Sequence, residues 1–197
     1  MRKCSAIFLL AMLVLWPRQP MAEERTETSR AMRDAFAVLL ELSSGGQKPD
    51  EDGSADIYYS IADDPKAPRL VTRLELGGDP CVARTFAALQ FPGKWASLFV
   101  ATTGLSAITS AVAYASVDDL IAERDPIPVL DPRAQQVVLT GTGLYCASRF
   151  ALGHEGNAEP ECRDRIDFAM MDAEQVHRGR AAMAVIANTC NVASLRQ

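Results

Sequence analysis

Four cysteines and the segment that precedes them constrain this chain more than any other feature. The five cysteines are Cys4, Cys81, Cys146, Cys162 and Cys190. Cys4 opens an apolar run to Trp16, CSAIFLLAMLVLW, which follows Arg2 and Lys3, is broken by Pro17 and leads to a small residue at Ala22. A basic start, an uncharged apolar segment, a helix breaker and a small residue together read as a secretory signal peptide over residues 1–22, removed from the mature chain. Its removal leaves four cysteines bound for an oxidising compartment, where an even set pairs as two disulfides with three possible connectivities. No two of them form a CxxC pair, which excludes a thioredoxin-like redox motif. Their wide spacing also argues against a tetrahedral zinc site, which uses close ligand pairs.

The apolar run is shorter than the roughly 20 residues that cross a bilayer, so no permanent membrane anchor is expected. Cys4 precedes the run, whereas a lipidated cysteine would follow it. Pro20 stands where the usual cleavage site has a small residue, so cleavage is placed within a few residues of Ala22. The mature chain, 23–197, then has 197 − 22 = 175 residues, enough for one domain with a sizeable core. Losing Arg2, Lys3 and Arg18 moves the formal net charge from −5 to −8. An acidic chain without a basic run has no electrostatic attraction for nucleic acid or an anionic membrane surface. A periplasmic or secreted location follows from the leader.

Apolar residues Met32, Ala35, Phe36, Leu39 and Leu40 recur at spacings of three and four and predict a helix over 28–43, capped by Thr28 or Ser29 and ended by the Ser43–Gly46 cluster. Residues 44–55 read as a mobile polar loop. Strands are expected over 56–62, 69–76, 81–90, 95–103, 108–116, 135–140 with a continuation toward Phe150, and 166–171. One or two helical turns fall at 117–123, and a proline-rich connection at 125–132. Asp172, with Gln175 three residues on, caps a last helix whose stripe is Val176, Met183, Ile186 and Cys190. The fold class is therefore α+β: an N-terminal helix, a largely antiparallel sheet of about six to eight strands, and a C-terminal helix packed on the sheet.

The disulfides follow from faces. If the turn Gly77–Pro80 pairs Leu76 with Cys81, then Leu74 faces Ala83, Leu70 faces Ala87, and Cys81 lies on the leucine face of the hairpin. That face needs a cover, and the last helix offers a stripe containing Cys190. Cys81–Cys190 is expected to tie helix to sheet, and Cys146–Cys162 to close the loop between them.

Candidate chemistry is sparse. His154 lies in GHEGNAEPEC, where Glu155, Glu159 and Glu161 could join it in proton transfer or, with Glu155, in holding a metal; no HExxH spacing is present, and a solvated loop is the simpler account. His177, on the last helix with Glu174, Arg178 and Arg180, is the other candidate catalytic residue. No GxSxG elbow nominates a serine. The acidic run Asp50–Asp56 lacks the glycine and glutamate positions of an EF-hand. Thr140-Gly141-Thr142-Gly143 lacks the GK[ST] ending of a phosphate loop and reads as a strand with glycine bends. Trp95, Phe99 and Tyr114 are assigned to core packing. Ala101–Ser110, all small or uncharged, reads as sheet interior around a glycine turn, with an edge open to a partner strand as the alternative. No cofactor is implied. The expected function is that of an exported, disulfide-bonded binding or accessory protein whose partner is another envelope or secreted protein. The alternative is a small exported hydrolase or metal-dependent enzyme using His154 or His177.

Overall fold

Alternation of leucine with polar residues from Arg69 to Leu76 sets up a strand with two unlike faces, and its neighbours repeat the pattern. The computed structural model describes residues 21–42, 46–49, 53–60, 67–150 and 159–195. Within them lie helices α1 (Met21–Leu39), α2 (Val117–Ile121) and α3 (Ala173–Thr189). The strands are β1 (Gly46–Pro49), β2 (Ala55–Tyr59), β3 (Arg69–Leu76), β4 (Val82–Phe91), β5 (Lys94–Gly104), β6 (Ser110–Tyr114), β7 (Gln136–Arg149) and β8 (Glu161–Ala169). All pair antiparallel in one sheet, as the α+β reading expects.

The sheet is a meander in which β5 and β6 share a lane. Phe99–Thr103 of β5 lie against Arg149–Tyr145 of the long strand β7, and Ser110–Tyr114 of β6 lie against Thr140–Gln136 farther along it. Between them the chain leaves the lane in a 3₁₀ turn, Leu105–Ala107. That turn sits against Gly141, where an added Cβ would overlap the Ala107 carbonyl. The glycines of TGTG thus serve a close backbone approach and, at Gly143 with φ +63°, a bend. β5 is interior, between β4 and β7, rather than an open edge.

Several boundaries differ from the sequence reading. The first helix runs from Met21 and stops at Leu39 instead of spanning 28–43, so Thr28 and Ser29 are internal. Its end is a Schellman motif: Glu41 takes a left-handed conformation (φ 49°), its N–H bonds to Val38 O, and Leu42 N–H bonds to Ala37 O. A glutamate replaces the usual glycine, and its carboxylate accepts the outward N–H of Ala169 on β8. Part of the 44–55 stretch is strand: β1 pairs with β2. β8 begins at Glu161, not Ile166. The hairpin register is displaced by two residues, with Leu76 opposite Ala83 and Leu74 opposite Thr85. The cause is a longer turn, closed by Gly77 N–H to Val82 O and by Asp79, whose carboxylate accepts the Cys81 N–H. A two-residue displacement keeps parity, so Cys81 stays on the leucine face.

Helices α1 and α3 cover one face. Met32, Phe36 and Leu39 of α1 and Met183 and Ile186 of α3 join Leu74, Ala83, Val137, Leu139, Ile166 and Phe168 in one core. Gly179 lets α3 close on Met170 and Phe168. Asp172 caps α3 through Gln175 N–H, and Gln175 returns a bond to Met171 N–H. Both expected disulfides are present: Cys81–Cys190 ties the end of α3 to the sheet, and Cys146–Cys162 joins directly opposed residues of β7 and β8.

Candidate functional site

Of the two histidines, His154, together with its proposed partner Glu155, lies outside the described residues. His177 lies on the exposed side of α3. There it lines an open groove of about 610 Å³ between α1 and α3, with Asp34, Glu174 and Arg178 as the other charged groups and Tyr58 of β2 alongside. Alanines 31, 35, 181 and 182 keep the groove open by being small. Beside it is a buried ion pair: Arg33 Nε donates to Asp56 Oδ2 at 2.7 Å, with both side chains about nine-tenths covered. Asp56, the last residue of the acidic run, is thus fixed to α1.

Chemically the groove is poor in nucleophiles. Its lining has no serine, threonine or cysteine, so Tyr58 carries the one hydroxyl. Burial pushes the Tyr58 phenol well above its ordinary range, and the charges of Asp56 and Asp34 push it further. A neutral, buried phenol is a weak base and a weak nucleophile at neutral pH. Among the described residues no group of three or more His, Cys, Asp or Glu side chains is placed to hold a metal.

The other face of the sheet is different in kind. Along β3, β4 and β5 the residues facing away from the helices are Arg69, Val71, Arg73 and Glu75; Val82, Arg84, Phe86, Ala88 and Gln90; and Trp95, Ser97 and Val100. The bulge at Ala87/Ala88 shifts β5 by one residue and so brings Ser97 and Trp95 onto the face of Phe86 and Val100. Ile57, Val71, Phe86, Trp95, Val100 and Phe150 line a groove of about 380 Å³ here, and no residue of α1 or α3 lines it. Trp95 is 59% exposed and Phe150 36%. The core assignment holds for Tyr114, which is buried, and fails for Trp95, while Phe99 is only half-buried and also lines the groove. Trp95 comes two residues after the tight turn Pro92–Gly93, with Gly93 at φ +75°, so its ring stands at the rim of this outer face.

The sizes are inverted relative to a half-buried sheet. The helix-side positions of β4 and β5 carry Ala83, Thr85, Ala87, Ala101 and Thr103, all buried. Phe86, Trp95 and Val100 look outward, while Leu89 and Phe99 fall on the helix side and are half-buried. Sequence reasoning missed this surface because Val71, Arg73 and Glu75 look like a solvated strand face. The signal was in β4 and β5, where Phe86, Trp95 and Val100 fall out of phase with the alanines. Polar groups complete the surface: Arg73 bonds Glu75 at 2.6 Å, and exposed Arg69 and Arg84 stand toward its two ends.

Comparison with protein-family models, with curated proteins and with solved structures finds no match, so the geometry alone carries the functional argument. The two disulfides are consistent with an exported domain. No described helix is long and apolar enough to cross a membrane.

Proposed function

We propose that the chain is an exported accessory protein that works by binding another envelope or secreted protein, and that it binds with the helix-free face of its sheet. The observation that carries this reading is Trp95, 59% exposed beside Phe150 on a face lined by Ile57, Val71, Phe86 and Val100. An uncovered apolar groove with aromatic anchors is the usual centre of a protein interface. The disulfides and the leader support export.

The test uses the oxidised mature chain, immobilised and exposed to the exported fraction of its own cell. A captured protein is identified, purified and bound again. Trp95→Ser should weaken that rebinding by at least about tenfold, the scale of a lost aromatic anchor, while His177→Ala leaves it unchanged. Rebinding that Trp95→Ser does not affect, or the absence of any protein that rebinds, overturns the reading.

The alternative, a small exported enzyme, keeps one supporting observation: His177 shares its groove with the carboxylates of Asp34 and Glu174. In that case His177→Ala abolishes the biological activity and Trp95→Ser spares it.

A further inference from the structure

We infer that the partner presents an apolar segment edged with carboxylates, which lies on the helix-free face with its acidic edge against Arg69 and Arg84. This rests on the binding reading above and adds the chemistry of the partner.

The argument is one of charge placement. The whole chain carries a formal net charge of −5. The stretch from Arg69 to Gly104, which forms β3, β4 and β5, runs the other way: Arg69, Arg73, Arg84 and Lys94 against Glu75 and Asp79, or 4 − 2 = +2. Neither acidic group stands free at the groove's edge. Glu75 is bonded to Arg73, and Asp79 is used in the turn, accepting the Cys81 N–H. Arg69 and Arg84 are exposed on the apolar face itself, whereas Lys94, opposite Phe91 and over its ring at 5.6 Å, belongs to the other face of the hairpin tip. An apolar centre with a cationic rim fits an apolar segment with an anionic rim, and such rims set partner choice more than raw affinity.

The same charges disfavour the other occupants. A second copy docked face to face would set Arg69 and Arg84 against like charges. An anionic bilayer is a plane, so it would meet the net negative charge of the whole molecule, whereas a protein segment meets only the rim.

The experiment uses three synthetic twelve-residue peptides with the same leucine, isoleucine and phenylalanine centre and with aspartate, glutamine or lysine at both ends. Binding to the oxidised mature chain is read by Trp95 emission, since the other tryptophan, Trp16, leaves with the leader. The aspartate peptide should bind at least about tenfold tighter than the lysine peptide near 0.05 M salt, and the ratio should narrow near 0.5 M as screening shortens. The double variant Arg69→Glu/Arg84→Glu, checked for an unchanged far-ultraviolet spectrum, should invert the order. Equal binding of all three peptides, lost in Trp95→Ser when followed by calorimetry, overturns the acidic-edge inference while leaving the binding reading intact. No binding by any peptide overturns it as well, and the capture experiment then judges the binding reading separately. Trp95-dependent dimerisation in sedimentation, or binding to vesicles containing anionic phospholipid, overturns it in favour of a second copy or a membrane.

Discussion

Removing the two disulfides one at a time separates what each does. The Cys81–Cys190 bond closes a loop with a sequence separation of 109, and Cys146–Cys162 one of 16. Constraint of the unfolded chain scales with the logarithm of loop length, which gives about 4.8 kcal/mol for the first and about 3.1 kcal/mol for the second at 25 °C. The loops are nested, because Cys146 and Cys162 both lie between Cys81 and Cys190. With the inner bond closed the outer loop is effectively 109 − 16 = 93 residues, a small correction to about 4.7 kcal/mol. The native side widens the gap. Cys81 is buried, 4% exposed, so its truncation to alanine leaves unfilled space worth about 1 kcal/mol, whereas Cys162 is exposed and leaves none. Cys81→Ala/Cys190→Ala should therefore cost about 2–3 kcal/mol more than Cys146→Ala/Cys162→Ala. The assay is urea unfolding of each oxidised variant, followed by tryptophan emission and far-ultraviolet circular dichroism. Both variants should also show a steeper denaturant dependence than the parent, because an untied unfolded chain exposes more surface. Equal losses, or a larger loss for the inner pair, would sink the loop-length reasoning.

The remaining predictions concern two glycines and a carboxylate. Gly141→Ala puts a Cβ into the backbone carbonyl of Ala107, which cannot step aside, and should cost more than about 3 kcal/mol. Gly179→Ala meets the flexible Met170 side chain and gains up to about 1 kcal/mol of helix propensity, so its melting temperature should stay far closer to the parent's. If the two alanines melt alike, the close approach of Leu105–Ala107 to β7 is wrong. Asp131 is held down to about 2, first by the side-chain hydrogen bonds of Arg133 and then by the Arg133 N–H. A depressed folded value contributes stability above the ordinary carboxyl value of 3.8 and loses it as pH falls toward about 2. In Arg133→Gln the carboxyl midpoint, read by carbon NMR, should move up toward the ordinary value without reaching it, because the backbone bond remains; an unmoved midpoint refutes the assignment.

Where the chain's own pattern carried the information, the sequence was legible. Parity along β3 and β4 placed Cys81 on the covered face even though the register was displaced by two residues, because only an odd displacement exchanges faces. Asp172 and Gln175 announced α3 through side-chain chemistry that acts locally. What failed depended on distant partners. The end of α1 is a left-handed glutamate, not a glycine, and Glu41 is matched there by the Ala169 N–H, more than a hundred residues away. The first half of β8, Glu161 to Arg165, has no apolar alternation. It is strand because Cys162 is bonded across to Cys146, Asp164 accepts the Gly143 N–H and Arg165 bonds Asp167. The shared lane of β5 and β6 was invisible for a related reason: local pattern shows two strands and cannot show that both lie along one edge of β7.

The site posed a harder problem, since a histidine draws the eye and an alternation of sizes does not. In a sheet with one covered face the large apolar side chains belong under the helices, where each removes the most surface from water. β4 and β5 do the reverse. Their fully buried helix-side positions are alanines and threonines, and Thr85 and Thr103 leave hydroxyls without a protein hydrogen-bond partner. Valine at Thr85 or Thr103 would keep the volume and remove an unpaired hydroxyl, so the arrangement is not what stability alone would select. On the outer face Phe86, Trp95, Val100 and Phe150 sit with nothing from α1 or α3 above them. Full burial of one such ring is worth about 1.5–3 kcal/mol, and that gain is still to be realised for the exposed parts of Trp95 and Phe150. A stabilising outward-to-polar exchange, Trp95→Ser with no loss of folding stability, would show that the ring does little for the isolated domain. Its place on the outer face would then be explained by what covers it.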